Sequence, residues 1–173
     1  HDSGITNVVA SLGTALSSNQ ITLLSRSTDS KKILLNFDSD NAGVRAAKRA
    51  ISEVENLAIQ GQLDLRVLQL PSGKDPDEFL KDNSPSEYEA LAAKSPLWMD
   101  WQIDQSLKDL DLNKSDQFQE AVSTLVSLLG KLPQTAIRTH YLQKVAQRLS
   151  GGQARFALQL EEDLRNQISG QRW

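Results

Sequence analysis

Two pairs of aspartates are the residues in this sequence best suited to chemistry. Asp38 and Asp40 form the first pair, and Asp75 and Asp77 form the second, with one residue between the members of each pair. Carboxylates at this spacing can converge on one hard cation, because oxygen ligands suit Mg²⁺. Each pair is therefore a candidate site for Mg²⁺, or for Mn²⁺ in its place.

Helix capping is the competing interpretation of both pairs. An aspartate that precedes a helix accepts hydrogen bonds from free backbone N–H groups and opposes the helix dipole. Capping accounts for Asp40 but leaves Asp38 without a structural reason. In the second pair, Asp75 would cap a helix that has Pro76 at its first position. For that loop, capping and metal binding are equally favoured by the residues.

Other sites can be tested against the same residues. A calcium loop would need an oxygen ligand and a glutamate at the positions of Ala42 and Arg49, so it fails. The chain contains neither a P-loop nor a dinucleotide-binding glycine motif. Zinc is disfavoured, because cysteines are absent and His1 and His140 lie far apart in the sequence. A phosphotransferase that uses a nucleophilic aspartate stays open.

The first pair follows a short apolar run, residues 33–35, that is typical of a strand buried on both faces. Alternating strand and helix patterns predict a parallel sheet with right-handed crossovers. Ligands of such sheets bind at the carboxyl ends of the strands, so both aspartate pairs are expected to face one crevice. Gly61 is predicted to cap the second helix. The predicted strands span residues 5–10, 31–38 and 63–70, and the predicted helices span about residues 17–26 and 42–60.

From residue 83 onward the strand signals end and helical periodicity takes over. Ser84 and Glu87 form a predicted capping box at the start of this region. The sequence therefore predicts an α/β domain over residues 1–82, with flanking helices, followed by an all-α helical bundle subdomain over residues 83–173.

Composition limits the possible functions. The net charge is −3, so any nucleic-acid contact must come from a local patch or through a metal. No apolar run approaches the roughly 20 residues of a membrane span, and the absence of cysteine is compatible with a reducing compartment. We expect a cytoplasmic protein with no membrane contact. The start has neither Met nor the apolar run of a signal peptide, so we expect an internal part of a longer protein.

One local basic strip stands out in the helical half. Residues 121–160 contain five basic residues and no acid, and Lys144 and Arg148 share one face of a predicted helix. A strip of this kind can meet a phosphate backbone. A solvated helix face is the more frequent explanation of such a charge run.

Three segments together resemble bacterial replicative DNA primases of the DnaG type. Residues 38–43 (DSDNAG) resemble the D-x-D-x-A-G segment of Toprim domains, and residues 7–14 (NVVASLGT) are similar to a primase segment. Residues 70–78 (LPSGKDPDE) are similar to the primase loop that contains DPDE. Order and spacing agree over about residues 5–80. The helical remainder resembles the C-terminal subdomain of the primase polymerase core in pattern.

The resemblance implies the C-terminal part of a Toprim domain and the helical subdomain of an enzyme that makes RNA primers on single-stranded DNA from nucleoside triphosphates. Asp38 and Asp40 would be catalytic and hold divalent metal, and Asp75 and Asp77 would be further metal ligands. Metal there would activate the primer 3′-hydroxyl and neutralise the incoming triphosphate. Lys144 is, with Arg148, a candidate for nucleic-acid contact.

Departures from the family limit what these residues are expected to do alone. Ser39 replaces a frequent glycine, and the Toprim glutamate is expected on a strand before residue 1. The replicative helicase would bind through a domain absent here. We therefore expect a monomer that binds metal weakly and makes no primers alone. Another Toprim enzyme, such as a topoisomerase or nuclease, stays open, although Ala42 disfavours it. A non-catalytic helical docking module also stays open.

Overall fold

The structure is a computed structural model that describes residues 4–10, 16–38, 40–71 and 74–170. The chain divides into two compact units, His1–Trp101 and Gln102–Trp173. Parts of the motifs discussed above lie outside the described residues: residues 11–14, Ser39 and residues 72–73.

The first unit is built around two parallel strands. Strand β1 (Lys32–Asn36) pairs with β2 (Asp64–Leu68) in a register that runs from Lys32 opposite Asp64 to Asn36 opposite Leu68. A helix connects the two strands, as a parallel pair requires. The predicted α/β class with parallel pairing is confirmed. The elements are α1 (Ser18–Arg26), β1 (Lys32–Asn36), α2 (Asn41–Ile59) and β2 (Asp64–Leu68).

The long helix α2 follows its prediction closely. It buries one face with a helical period, and that face consists mostly of small residues that allow close packing. Gly61, at φ +70°, donates its N–H to the Ala58 carbonyl at 3.1 Å, and Gln62 donates to the Leu57 carbonyl at 2.9 Å. This is the Schellman arrangement, so Gly61 ends the helix in a conformation that favours glycine. The buried face comprises Gly43, Ala47, Ala50, Ile51 and Val54.

The strand predicted over residues 5–10 is not present. Ile5 is buried and packs in a cluster with Leu70, but Val8 is 50% exposed and Val9 is 69% exposed. A buried strand would have hidden both valines, and a strand also needs a paired neighbour to satisfy its backbone. Within the described residues, β1 and β2 pair only with each other as strands.

The first compact unit extends beyond the predicted boundary between residues 82 and 83. Helices α3 (Pro76–Asp82), α4 (Pro85–Ala93) and α5 (Trp98–Leu107) follow β2. Tyr88 of α4 is buried in the cluster that contains Leu68 and Leu70, so α4 packs with the sheet. The compact division falls within α5. A Toprim-like domain over residues 1–82 and a helical subdomain over residues 83–173 remain predictions.

The second unit is helical, as predicted for the second half of the chain. Three amphipathic helices, α6 (Ser115–Gly130), α7 (Ala136–Leu149) and α8 (Ala154–Gly170), pack against one another. Among the described residues, no helix combines the length and the apolar character needed to cross a membrane. Buried residues recur at helical spacing on each helix, among them Leu125 and Leu129, Leu142 and Val145, and Leu160 and Leu164.

A buried arginine joins two of these helices. Arg138 on α7 is only 6% exposed. Its guanidinium donates to the Gly130 carbonyl at the end of α6 and to the Leu132 carbonyl in the following turn. The carbonyls at a helix end lack intrahelical partners, so Arg138 caps α6 from a neighbouring helix.

We expect Arg138→Met to lower the free energy of unfolding by about 2 kcal/mol, because the Gly130 and Leu132 carbonyls would lose a charged donor. Arg165→Gln is the matched control. It removes an exposed arginine whose ion pair with Glu161 lies on one helix, at 2.6 Å, and we expect a loss of at most about 0.5 kcal/mol. Urea unfolding followed by circular dichroism measures both. Equal losses would contradict a special role for Arg138.

Candidate active site

Asp38 and Asp40 lie just beyond the carboxyl end of β1, where a parallel sheet places its ligands. Both residues are exposed. Among the described residues, no hydrogen bond or ion pair engages the Asp38 carboxylate. The Asp38 carboxylate is therefore available to a ligand.

Asp40 has a structural role, as the capping interpretation predicted. It is the N-cap of α2, and its Oδ1 accepts the Gly43 N–H at 2.7 Å. This bond satisfies one of the free N–H groups of the first turn. Because the cap uses Oδ1, the second oxygen of Asp40 can still contact a cation.

Gly43 closes the DSDNAG segment, but sequence reasoning assigned it no role at this site. A methyl group at Gly43 would overlap the Asp38 carbonyl oxygen and lie 2.6 Å from the carbonyl carbon and 2.9 Å from the backbone nitrogen of Asp38. The first turn of α2 therefore packs directly on the Asp38 backbone, which only glycine permits. The available signal was a glycine inside a helix, where glycine costs about 1 kcal/mol without such a reason.

Asp75 and Asp77 are both engaged in helix α3. Asp75 is the N-cap, its Oδ1 accepts the Glu78 N–H at 2.8 Å, and the Glu78 side chain completes the capping box. Asp77 forms an ion pair with Lys81 at 2.7 Å. A hydrogen bond from Lys81 to Asp77, with their mutual attraction, raises the pKa of Lys81. Each carboxylate of this pair thus already has a partner within its own helix turn.

The lysine beside this pair also has an acidic partner. Lys74 lies 2.5 Å from Asp82. The hydrogen bond from Lys74 lowers the pKa of Asp82 below its ordinary value. Lys74 and Asp82 therefore link the loop before α3 to the end of that helix.

The two aspartate pairs do not form one closed cluster. Carboxylate oxygens are the right kind of ligand for Mg²⁺ or Mn²⁺. In the part of the chain that the structure describes, however, no three histidine, aspartate or glutamate side chains lie close enough together to hold a metal ion. One pair lies after β1, and the other lies at the start of α3. The carboxylate oxygens are the right kind of ligand for such a cation, but too few of them lie together to complete a site.

Lys144 and Arg148 lie one turn apart on α7, which the predicted strip requires. Arg148 forms an ion pair with Asp104 of α5 within the second unit. Lys144 is half-buried. The Arg148 charge is thus partly neutralised inside the protein, and DNA contact by these two residues remains a prediction.

Comparison with known proteins identifies two families along the chain. A family described as Toprim-like matches residues 1–80. A family described as the DnaB-helicase binding domain of primase matches residues 99–154. The second match falls within the helical half, whereas the replicative helicase was expected to bind through a domain absent here. That expectation remains a prediction.

Individual relatives agree with these matches. The DNA primase of Synechococcus elongatus is 60% identical over all 173 residues, which make up 25% of that protein. The catalytic domain of DnaG primase bound to single-stranded DNA matches with a TM-score of 0.69 at 28% identity, over 86% of this chain and 46% of that one. The RNA polymerase domain of Mycobacterium tuberculosis primase DnaG in complex with double-stranded DNA matches with a TM-score of 0.70 at 25% identity, over 87% and 47%. The chain spans about a quarter of the length of the curated relatives it matches.

We expect Gly43→Ala to destabilise the first unit by about 2 to 3 kcal/mol, because the added methyl group meets backbone that cannot move aside. The amides of Gly43 and Val44, which donate to Asp40, should lose protection in hydrogen exchange. Gly130→Ala is the matched control, since the nearest described atom to its methyl group would be Ile168 Cγ2, at 3.9 Å. We expect that control to stabilise α6 by about 0.5 to 1 kcal/mol. Unchanged exchange in Gly43→Ala would contradict the close contact.

Proposed function

We propose, from the premise that this chain belongs to the DnaG-type family of DNA primases, that it forms part of a primase catalytic core. The parent enzyme would join nucleoside triphosphates into short RNA primers on a single-stranded DNA template. This reaction is a nucleotidyl transfer, and the chain would contribute acidic residues to it.

One observation supports this proposal most strongly. The Asp38 carboxylate is exposed at the carboxyl edge of the sheet, while its backbone is fixed by Gly43 in the first turn of α2. Asp40 stands beside it with one carboxylate oxygen beyond the cap. A fixed backbone below an exposed carboxylate suits a ligand that must be held in one place.

Asp38 and Asp40 would hold Mg²⁺ or Mn²⁺. When bound, such an ion supplies charge neutralisation for the triphosphate and activation of the primer hydroxyl. Asp40 would serve two roles at once, because one oxygen keeps the start of α2 in place while the other contacts the ion. Asp38 would have no role besides the ion, which accounts for a carboxylate that capping leaves unexplained.

Asp75 and Asp77 would join as further ligands only after a local change. Asp75 would have to share its carboxylate with the Glu78 N–H, and Asp77 would have to release Lys81. Because both contacts are exposed to solvent, breaking them costs little free energy. With two ligands in place, the 173 residues would bind metal weakly and make no primers alone. Primer synthesis by them would contradict this part of the proposal.

Metal titration tests the proposal directly. We expect Asp38→Asn and Asp40→Asn each to weaken Mn²⁺ binding at least about tenfold, because each removes a charged ligand from a site with few others. Asparagine can also cap a helix, so Asp40→Asn should leave the thermal unfolding temperature nearly unchanged. Electron paramagnetic resonance of free Mn²⁺ measures the binding.

Asp116→Asn is the matched control for this titration. Asp116 is an exposed aspartate in the first turn of α6, within the second unit. Its replacement removes the same charge and should leave Mn²⁺ binding unchanged. Equal binding by wild type, Asp38→Asn and Asp40→Asn would exclude a metal site at the end of β1.

The helical half has a second candidate role, contact with a DnaB-type helicase. The match over residues 99–154 favours it. Ile137 on α7 lies in this range and is an exposed apolar residue. If this surface binds the helicase, Ile137→Asp should reduce co-sedimentation of the chain with DnaB. Leu158→Asp, an exposed apolar position outside the range, should leave it intact, and an equal effect of both variants would contradict the assignment.

A further inference from the structure

The outer face of α2 carries a cluster of cations. Arg45, Lys48 and Arg49 are all exposed, and they lie three and four positions apart on one side of the helix. The opposite side contains the buried residues that pack on the unit. We call these three residues the α2 basic face. They do not contribute to the core.

The charges of the α2 basic face are not balanced within the protein. Among the described residues, none of its three side chains takes part in an ion pair. No acidic residue occurs from Asn41 to Ser52, so the first half of α2 is positive throughout. Five other cations have acidic partners: Arg66 with Asp64, Lys74 with Asp82, Lys81 with Asp77, Arg148 with Asp104, and Arg165 with Glu161. Among the described residues, Arg26, Lys31 and Lys32 also have no ion pair, but they lie at the other end of β1.

The order of charges along α2 is also opposite to what stabilises a helix. Acids favour the first turn and cations favour the last, because of the helix dipole. Helix α2 has no acid in its first turn and no cation in its last, and its acids, Glu53 and Glu55, fall in its second half. Helices α3, α4, α5 and α6 begin with acids, whereas α1, α7 and α8, like α2, do not. The helix dipole therefore does not account for the basic face.

The basic face begins beside the candidate metal site. Arg45 follows the N-cap Asp40 by five residues, which is about 7.5 Å along a helix axis. Exposed arginine and lysine side chains bind phosphate, and the exposed amide of Asn41 on the same side can donate hydrogen bonds to it. A polyanion that reaches Asp38 and Asp40 would pass these four residues next.

We propose that the α2 basic face binds the phosphate backbone of single-stranded DNA beside the aspartates at the end of β1. This inference rests on the proposed primase function and adds a specific contact surface to it. The side chains of the α2 basic face would hold the strand through charge, without reading bases. Binding should therefore depend strongly on salt and little on sequence.

The test compares the 173-residue chain with a triple variant, Arg45→Gln/Lys48→Gln/Arg49→Gln. Glutamine is a good helix former, so α2 should remain folded, which circular dichroism checks. Fluorescence anisotropy of a labelled oligo(dT) strand, measured over a series of KCl concentrations, reports binding. We expect affinity at low salt to fall about tenfold or more, and the slope of log K against log salt to decrease by about 2, because three phosphate contacts are lost.

A second triple variant controls for net charge. Arg26→Gln/Lys31→Gln/Lys32→Gln removes three exposed cations at the opposite end of β1 in the same unit. It should keep the wild-type slope. Equal loss in both variants, or no loss in the α2 variant, would overturn the inference, as would the absence of DNA binding by the wild-type chain. Failure here leaves Mn²⁺ binding by Asp38 and Asp40 unaffected, so the two proposals can be rejected separately.

Discussion

The first turn of α2 rests on the backbone of Asp38, and the candidate site depends on this contact. Gly43 makes it possible, since any side chain there would collide with the Asp38 peptide. The same glycine donates its N–H to Asp40. One residue thus fixes the backbone of the first aspartate and bonds to the carboxylate of the second. The turn between β1 and α2 is constrained from both sides, which limits how far the two carboxylates can move apart.

Capping and metal binding are compatible uses of the same aspartates. A cap needs one carboxylate oxygen, and a cation can use the other. One oxygen of Asp40 accepts the Gly43 N–H and the other is left for a cation, whereas the Asp77 carboxylate is paired with Lys81. The pair after β1 is therefore better prepared for a cation than the pair in α3. Positive charge on α2 and negative charge at its N-terminus together create a surface that suits metal and phosphate side by side.

Local patterns in the sequence predicted much of this structure. The period of α2, the Gly61 cap, the Asp75 N-cap and the capping box of Ser84 and Glu87 are encoded by neighbouring residues, and the structure contains all of them. Contacts between distant segments of the chain were harder to predict from the sequence. The apolar run at residues 5–10 has strand character, but its own residues do not show whether another strand pairs with it. The burial of Tyr88 against the sheet and the collision at Gly43 likewise depend on tertiary placement.

We propose that Asp38 and Asp40 form the cation site of this chain. Anomalous X-ray diffraction from crystals of the 173-residue chain soaked in Mn²⁺ tests it most directly, because it locates the ion without reference to activity. If these aspartates hold the cation, an anomalous peak should lie within coordination distance of both carboxylates, beside the N-terminus of α2. A peak at Asp75 and Asp77 with none at Asp38 and Asp40, or no peak at either pair, would contradict it.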